Sequence, residues 1–203
     1  MLEEYGRQGW WPGETPFEVM VGAILTQNTA WSNVEVAISN LKQAGVLAPA
    51  AIINLDRAEL AQLLRPSGYF NVKAERLKNF CCFLQECGGE GALREKTTQE
   101  IRQGLLSVNG IGPETADDIL LYAFERPIFV IDAYTRRILS RLGMCSGQES
   151  YEEMRQGFES GLGPDQKLFN EFHALIVRHA KEACTTKPHC EQCSLVERCF
   201  IGC

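Results

Sequence analysis

Several features that would place a protein in a membrane, secreted or β-rich class are missing from this sequence. No apolar run approaches the ~18 residues that a membrane-spanning helix requires, so no membrane partner is expected. Residues 1–6 lack the basic and apolar regions of a signal peptide, which favours a cytoplasmic location. Only residues 128–131 have a strand-like pattern, and they are too few to build a sheet.

Apolar residues instead recur at helical spacing along most of the chain. Thr15-Pro-Phe-Glu18 has the form of a capping box and predicts a helix start, with Pro16 at the first helical position. Asp56 opens another helix, which the Pro66-Ser-Gly68 turn ends. Further helices are predicted over residues 31–42, 70–86, 98–107, 113–125, 133–142, 150–160 and 165–181. The sequence therefore predicts an all-α fold, and 203 residues suffice for one core or two small lobes.

The charge distribution leaves a nucleic-acid partner open. The net charge of −6 argues mildly against one, but residues 126–141 and residues 65–78 each carry a local excess of three positive charges. Such runs are typical of solvated helix faces. A DNA-binding face needs only a locally positive potential, so the acidic total does not exclude it.

Five of the nine cysteines lie within the last 20 residues, and four of them are closely spaced at Cys184, Cys190, Cys193 and Cys199. In a chain without export signals, such crowding favours metal ligation over disulfides. Their spacing alone suits zinc and a [4Fe–4S] cluster equally. The remaining thiols are interpreted as core or incidental residues; they are Cys81, Cys82, Cys87, Cys145 and Cys203.

Residues 107–116, Ser-Val-Asn-Gly-Ile-Gly-Pro-Glu-Thr-Ala, predict a glycine hairpin that opens a helix. Gly110 and Gly112 permit positive φ and close approach of a ligand to the backbone, and Pro113 suits the first helical position. Free amides at such a helix start, together with the helix dipole, attract a phosphate oxygen without reading a base. The short Gly-x-Gly pattern alone also fits an ordinary turn between two helices.

Asp132 precedes the predicted helix at 133–142, where an aspartate is a favoured N-cap. A helix N-terminus also keeps a carboxylate ionised. An ionised carboxylate can stabilise a developing positive charge, and it can orient or deprotonate an attacking water. The structural and catalytic readings of Asp132 are therefore compatible.

The sequence resembles the endonuclease III superfamily of helix–hairpin–helix DNA glycosylases. In that superfamily a hairpin, a downstream aspartate and a four-cysteine segment follow one another in this order. The strings at 10–12 (Trp-Trp-Pro), 22–29, 65–70 and 114–120 resemble the bacterial 3-methyladenine DNA glycosylase branch. The resemblance implies two helical lobes, one of residues 17–122 and one of 1–16 with 123–203, and an active-site cleft between them. It also implies that the partner is double-stranded DNA with a damaged base, and that the protein is a nucleoid-associated monomer.

The resemblance further assigns roles to single residues. It makes Asp132 catalytic, and it places Trp11, Trp31, Glu114 and Lys181 in the lesion pocket. It assigns DNA contacts to Gln27, as a wedge in the base stack, and to the hairpin residues Gly110, Ile111, Gly112 and Thr115. It favours a [4Fe–4S] cluster over zinc, although five residues separate Cys184 from Cys190 where the family commonly has six. Ordinary structural roles remain open for the tryptophans as core residues, for Gln27 at a helix end and for Lys181 in solvent.

Glu114 is a departure from the bifunctional members of the superfamily, which carry a lysine at this point of the hairpin motif. A carboxylate cannot form the Schiff base by which an amine cleaves the strand, so Glu114 favours simple hydrolysis. The predicted function is a monofunctional DNA glycosylase for alkylated purines such as 3-methyladenine. Two alternatives stay open: a glycosylase for oxidised pyrimidines or mismatches, with or without lyase activity, and a non-catalytic DNA-binding module.

Overall fold

The computed structural model describes residues 1–10 and 13–200, and in this part of the chain the regular structure is helical and contains no β-strand. The predicted all-α fold is thereby confirmed. The helices are α1 (Leu2–Tyr5), α2 (Pro16–Leu25), α3 (Trp31–Gln43), α4 (Pro49–Asn54), α5 (Arg57–Leu63), α6 (Phe70–Glu86), α7 (Gly89–Arg94), α8 (Thr98–Ser107), α9 (Pro113–Asp118), α10 (Ala133–Arg141), α11 (Tyr151–Leu162) and α12 (Gln166–Glu182). None of these described helices combines the length and the apolar character needed to cross a membrane.

The chain forms two compact units, one of Pro12–Arg126 and one of Met1–Trp11 with Pro127–Cys203. The resemblance instead predicts boundaries after residue 16 and after residue 122. In the first unit, α2 is buried from Glu18 to Leu25 and packs against α3, α6 and α9. Helix α6 also packs against α4 and α5. This arrangement fixes the end of α2 against the hairpin helices.

The start of α2 differs in one respect from the predicted capping box. The Thr15 side chain accepts a hydrogen bond from the Glu18 amide, as predicted. The Glu18 carboxylate, however, accepts from the Glu14 amide and pairs with Lys42, instead of returning to the Thr15 amide. Because Lys42 on α3 pairs with the Glu18 carboxylate, only one of the two hydrogen bonds of the capping box forms.

The helix predicted over 113–125 changes its winding partway. Regular α-helix ends at Asp118, and residues Ile119–Ala123 form a π-helical turn. All five residues of this turn are buried, and it packs against α2 and α8. Because all five residues are buried, tertiary packing determines the backbone conformation of the turn more than local propensity does.

In the second unit, the strand-like residues 128–131 are buried but form no sheet. The backbone amides of Phe129 and Ile131 donate to side chains on α11, Glu159 Oε1 and the Tyr151 hydroxyl. Phe129 stacks on Phe158 at a centroid distance of 4.0 Å. This buried segment leads directly into Asp132 and α10, and α10 packs against α12.

Candidate active site

Asp132 is the N-cap of α10, as the sequence predicts. Its backbone is extended, with φ −90° and ψ 179°, and its Oδ1 accepts a hydrogen bond of 2.7 Å from the Thr135 amide. The side chain is only 14% exposed. The carboxylate is therefore fixed at the start of a helix whose dipole favours negative charge.

The second oxygen of this carboxylate faces a histidine that the sequence analysis missed. His173, on α12, places Nε2 3.5 Å from Asp132 Oδ2 and is almost fully buried. Burial alone opposes ionisation of Asp132, but the contact with His173 and the bonds from Thr135 hold its pKa below the usual value of 3.8. The sequence does contain a signal for His173, because it is a polar residue on the apolar side of an amphipathic helix. Phe169 and Ala180 on the same helix are buried as well.

The glycine hairpin forms as predicted between α8 and α9. The Ile111 amide donates to the Val108 carbonyl over 3.0 Å, and Gly110 adopts φ +95°. A Cβ atom at Gly110 would lie 2.2 Å from Arg76 Cγ, so a side chain there would collide with α6. Gly112 is exposed and extended, with open space around it. The backbone at Gly112 is thus accessible to a ligand.

The remaining predicted contact residues of this region point inward. Ile111 and Thr115 are buried, so their side chains are not available to a nucleic acid. The Gln27 amide nitrogen donates to the Gly110 carbonyl over 3.1 Å and to Thr115 Oγ1 over 2.9 Å. Its oxygen accepts a hydrogen bond from Arg76. Gln27 therefore braces the hairpin in this structure.

Trp31 lies at the start of α3 and lines a cavity of about 430 Å³ within the first unit. The cavity is also lined by Glu14, Glu18, Glu35 and Lys42. Lys42 pairs with Glu14 over 3.1 Å and with Glu18 over 2.9 Å. The pairing neutralises part of the acidic lining, whose formal charge nevertheless stays negative.

The other predicted pocket residues are placed differently. Trp11 lies outside the described residues. Its neighbour Trp10 stacks on the His173 ring, with centroids 6.0 Å apart and an angle of 25°. Glu114 is exposed in the first turn of α9, and Lys181 is exposed in the last turn of α12. Both positions suit the local helix dipole.

The basic runs at 65–78 and 126–141 mostly serve the backbone. Lys73 is buried and donates to the carbonyls of Leu25 and Ser67. Lys78 and the arginines of the second run likewise donate to backbone carbonyls; these arginines are Arg126, Arg136, Arg137 and Arg141. The clusters of positive charge in the sequence therefore include many side chains that donate hydrogen bonds to backbone carbonyls.

The four-cysteine segment is held against α10 and α12. Arg141 Nη1 donates to Cys184 Sγ over 3.1 Å, and Cys199 Sγ donates to the Arg141 carbonyl over 3.4 Å. His179 Nε2 lies 3.5 Å from Cys193 Sγ. The Arg141 guanidinium and an N–H at His179 Nε2 suit thiolate ligands, which carry negative charge, whereas the Cys199 contact is that of a protonated thiol.

The cysteines are not gathered into a preformed metal site. Among the residues that the structure describes, no three histidine, cysteine or carboxylate side chains converge to hold a metal ion. Cys184, Cys193 and Cys199 are free thiols, whereas Cys190 is disulfide-bonded. Metal binding would require Cys190 as a thiolate.

Comparison with known proteins gives one consistent family. Residues 21–164 match the HhH-GPD superfamily of base excision DNA repair proteins. A relative from Methanocaldococcus jannaschii named "Putative DNA repair glycosylase" is 50% identical over 203 residues, covering 98% of this chain and 92% of its own.

Two solved structures extend the comparison. The Helicobacter pylori 3-methyladenine DNA glycosylase bound to 1,N6-ethenoadenine is 32% identical, with a TM-score of 0.77 over 85% of this chain and 88% of its own. A non-covalent endonuclease III–DNA complex has a TM-score of 0.84 over 98% and 90% of the two chains, but its 21% identity supports the fold alone. The chain belongs to the HhH-GPD superfamily of base excision DNA repair proteins and is a DNA N-glycosylase.

Proposed function

We propose that this glycosylase is monofunctional and hydrolyses the N-glycosidic bond of alkylated purines, such as 3-methyladenine, in duplex DNA. The observation that carries the proposal is the cavity beside Trp31. Alkylation at N3 gives the base a positive charge, and an indole face attracts a cation through its π electrons. The similarity to the Helicobacter pylori 3-methyladenine glycosylase supports the same substrate class.

The charges around Trp31 also favour a cationic ligand. Lys42 is occupied by Glu14 and Glu18, whereas Glu35 is exposed one helical turn from Trp31 and takes no part in these ion pairs. Its carboxylate gives the cavity a further negative charge beside the aromatic ring. A cationic base gains from both groups, whereas a neutral base gains mainly from stacking.

Asp132 is proposed to perform the chemical step. The bond between sugar C1′ and the base breaks, and its electron pair leaves with the base, which thereby loses its positive charge. The sugar becomes an oxocarbenium-like cation that the Asp132 carboxylate stabilises. A water oxygen then bonds to C1′, and the water proton passes to Asp132 and on to solvent. Because the cationic base is already a good leaving group, no separate general acid is required.

Glu114 supports a monofunctional outcome. Its carboxylate stands in the hairpin motif where an amine nucleophile would be needed, and it cannot form an imine with the sugar. The expected product is an intact strand with an abasic site. We also propose that Trp11, Trp31 and Lys181 contact the damaged base. Gln27 and the hairpin are proposed to contact the DNA.

We propose that Cys184, Cys190, Cys193 and Cys199 hold a [4Fe–4S] cluster, with zinc as the alternative. The donor set fits thiolate ligation, because Arg141 and His179 already contact two of the sulfur atoms. When bound, the cluster would fold the segment after α12 around four strong bonds. We also propose that the protein acts as a cytoplasmic monomer on damaged duplex DNA.

A panel of duplex oligonucleotides tests the substrate assignment. Each carries one lesion (3-methyladenine, 1,N6-ethenoadenine, hypoxanthine, thymine glycol or a mismatch) and is assayed with and without alkali. We expect release of alkylated purines, strand breaks only after alkali, and no adduct trapped by borohydride. Release of thymine glycol alone would favour the oxidised-pyrimidine alternative, and no release of any base would favour a binding module.

Two substitutions test the cavity beside Trp31. Trp31→Ala should weaken binding of the lesion by roughly 1–3 kcal/mol, the scale of one base-stacking contact. Glu35→Gln should raise KM for the cationic base severalfold and leave hypoxanthine unchanged. Glu95→Gln changes the net charge equally at an exposed position outside the cavity and is the matched control. Equal effects of Glu35→Gln on cationic and neutral bases would contradict the assignment.

A further inference from the structure

The carboxylate of Asp132 is held at both oxygens by groups that reach it from different directions. Oδ1 accepts from the Thr135 amide within α10, over 2.7 Å. Oδ2 faces His173 Nε2 on α12, over 3.5 Å. The first contact is an ordinary N-cap bond, but the second is not needed for helix capping. It therefore calls for another explanation.

The position of the imidazole is set by packing. His173 is 3% exposed, it lies in the middle of a 17-residue helix, and that helix packs against α10. The Trp10 ring stacks over it at 6.0 Å. A histidine fixed in this way has little rotational freedom, so Nε2 stays directed at Asp132. The distance of 3.5 Å is long for a hydrogen bond, as catalytic contacts often are without substrate.

Several other charged groups of these elements have partners elsewhere. On α10, Arg136 donates to the Glu149 carbonyl and Arg137 donates to the carbonyls of Cys184 and Ala180. On α12, Glu171 accepts from the backbone amides of Gln8 and Gly9. His173 is the ionisable side chain that acts on the Asp132 carboxylate.

We propose that His173 is a positioning residue of the active site, which orients the Asp132 carboxylate and stabilises its ionised form through Oδ2. The proposal rests on the proposed catalytic role of Asp132. The hydrogen bond to one oxygen from α10 and the contact to the other from α12 restrict rotation of the carboxylate plane. A fixed anion is available to the oxocarbenium-like sugar without reorganisation during the reaction. His173 itself does not touch the substrate.

The test compares two variants at position 173. His173→Phe keeps a ring of similar shape and removes the N–H donor, whereas His173→Gln retains an amide N–H that can reach the position of Nε2. We expect His173→Phe to slow single-turnover release of 3-methyladenine by about tenfold, because the electrostatic contact with the Asp132 carboxylate is lost. Affinity for lesion DNA should change by less than about twofold, because the residue acts on chemistry. His173→Gln should recover most of the rate.

The pH profile separates positioning from a general loss of packing. Without the donor, the anion of Asp132 is less stable, so the acidic limb of the rate profile should move upward by roughly one pH unit. Phe169→Leu, at a fully buried position on the same helix, is the matched control for packing. It should lower the melting temperature without moving the acidic limb. A His173→Phe protein that resembles Phe169→Leu in rate, affinity and pH profile would overturn the proposal.

A measurement without substrate distinguishes this proposal from the proposed function. In protein labelled with ¹³C at aspartate carboxyls, the Asp132 signal is assigned by its loss in Asp132→Asn. Its titration midpoint should rise in His173→Phe relative to the unsubstituted protein and to His173→Gln. An unchanged midpoint refutes the contact, even if the glycosylase is active. A raised midpoint in a protein that releases no alkylated purine would refute the substrate assignment and retain the contact.

Discussion

Lys73 on α6 is a buried cation whose protonation should control stability at alkaline pH. The side chain is 1% exposed and donates to the Leu25 carbonyl over 2.8 Å and to the Ser67 carbonyl over 2.6 Å. Burial disfavours its charge and Arg76 repels it, so its pKa falls from 10.5 to about 8. Because Leu25 ends α2 two residues before Gln27, this lysine also anchors the segment that braces the hairpin.

The sign of the effect follows from proton linkage. Between pH 8 and 10.5 the folded protein has lost this proton while the unfolded chain still binds it. The free energy of unfolding therefore rises with pH in this window, as the cost of the buried charge disappears. At about 1.4 kcal/mol for each tenfold change in proton affinity, the full gain is about 3 kcal/mol. Below pH 8 the cost is present in full.

Lys73→Met isolates this contribution. We expect the unfolding free energy of the unsubstituted protein, relative to Lys73→Met, to rise by up to about 3 kcal/mol from pH 7.5 to 10.5. Burial raises the pKa of Tyr5 and of Cys81 to about 12, so both groups lower stability at alkaline pH. They are present in both proteins and cancel in the difference. Urea unfolding followed by circular dichroism measures it, with exposed Lys96→Met as the control. A difference that is flat across this range would refute the reasoning.

Three further substitutions test the site. Gln27→Ala should weaken binding of damaged and undamaged duplex alike by up to about thirtyfold, since it removes two bonds worth about 1 kcal/mol each from the hairpin; a loss confined to damaged DNA would support the wedge role instead. Asp132→Asn should nearly abolish base release in single-turnover assays and leave lesion-DNA affinity similar or higher, because the N-cap acceptor is retained and a negative charge is removed. Cys193→Ser should lower the iron content, expected at about four per chain, together with the absorbance near ~400 nm; stoichiometric zinc without iron in the unsubstituted protein would contradict the cluster.

The sequence predicts much of the helical structure because the relevant signals are local. Helices α6 and α8 have the predicted bounds, 70–86 and 98–107. Asp56 caps α5 with bonds to two backbone amides, as a short polar side chain before an apolar repeat should. Side chains and backbone groups within four residues determine these features, and such neighbours can be read from the sequence.

The sequence alone does not predict the features that depend on tertiary packing. Helices α4 and α7 have six residues each, which is too short for apolar periodicity to identify. The π-helical turn at Ile119–Ala123 follows from burial on all sides, which a single sequence does not display. The same limit applies to the site: the partners of Gln27 lie 49, 83 and 88 residues away, so its bracing role was not predictable.

Asp132 shows why a structural and a catalytic interpretation of one residue need not compete. Capping α10 uses only Oδ1, through the Thr135 amide. The cap therefore leaves Oδ2 with a fixed direction, and His173 occupies that direction from α12. The local sequence predicts the first of these contacts. It does not predict the second, because Asp132 and His173 are 41 positions apart. The N-cap supplies orientation, the buried imidazole supplies stabilisation of the anion, and the proposed catalytic role depends on both.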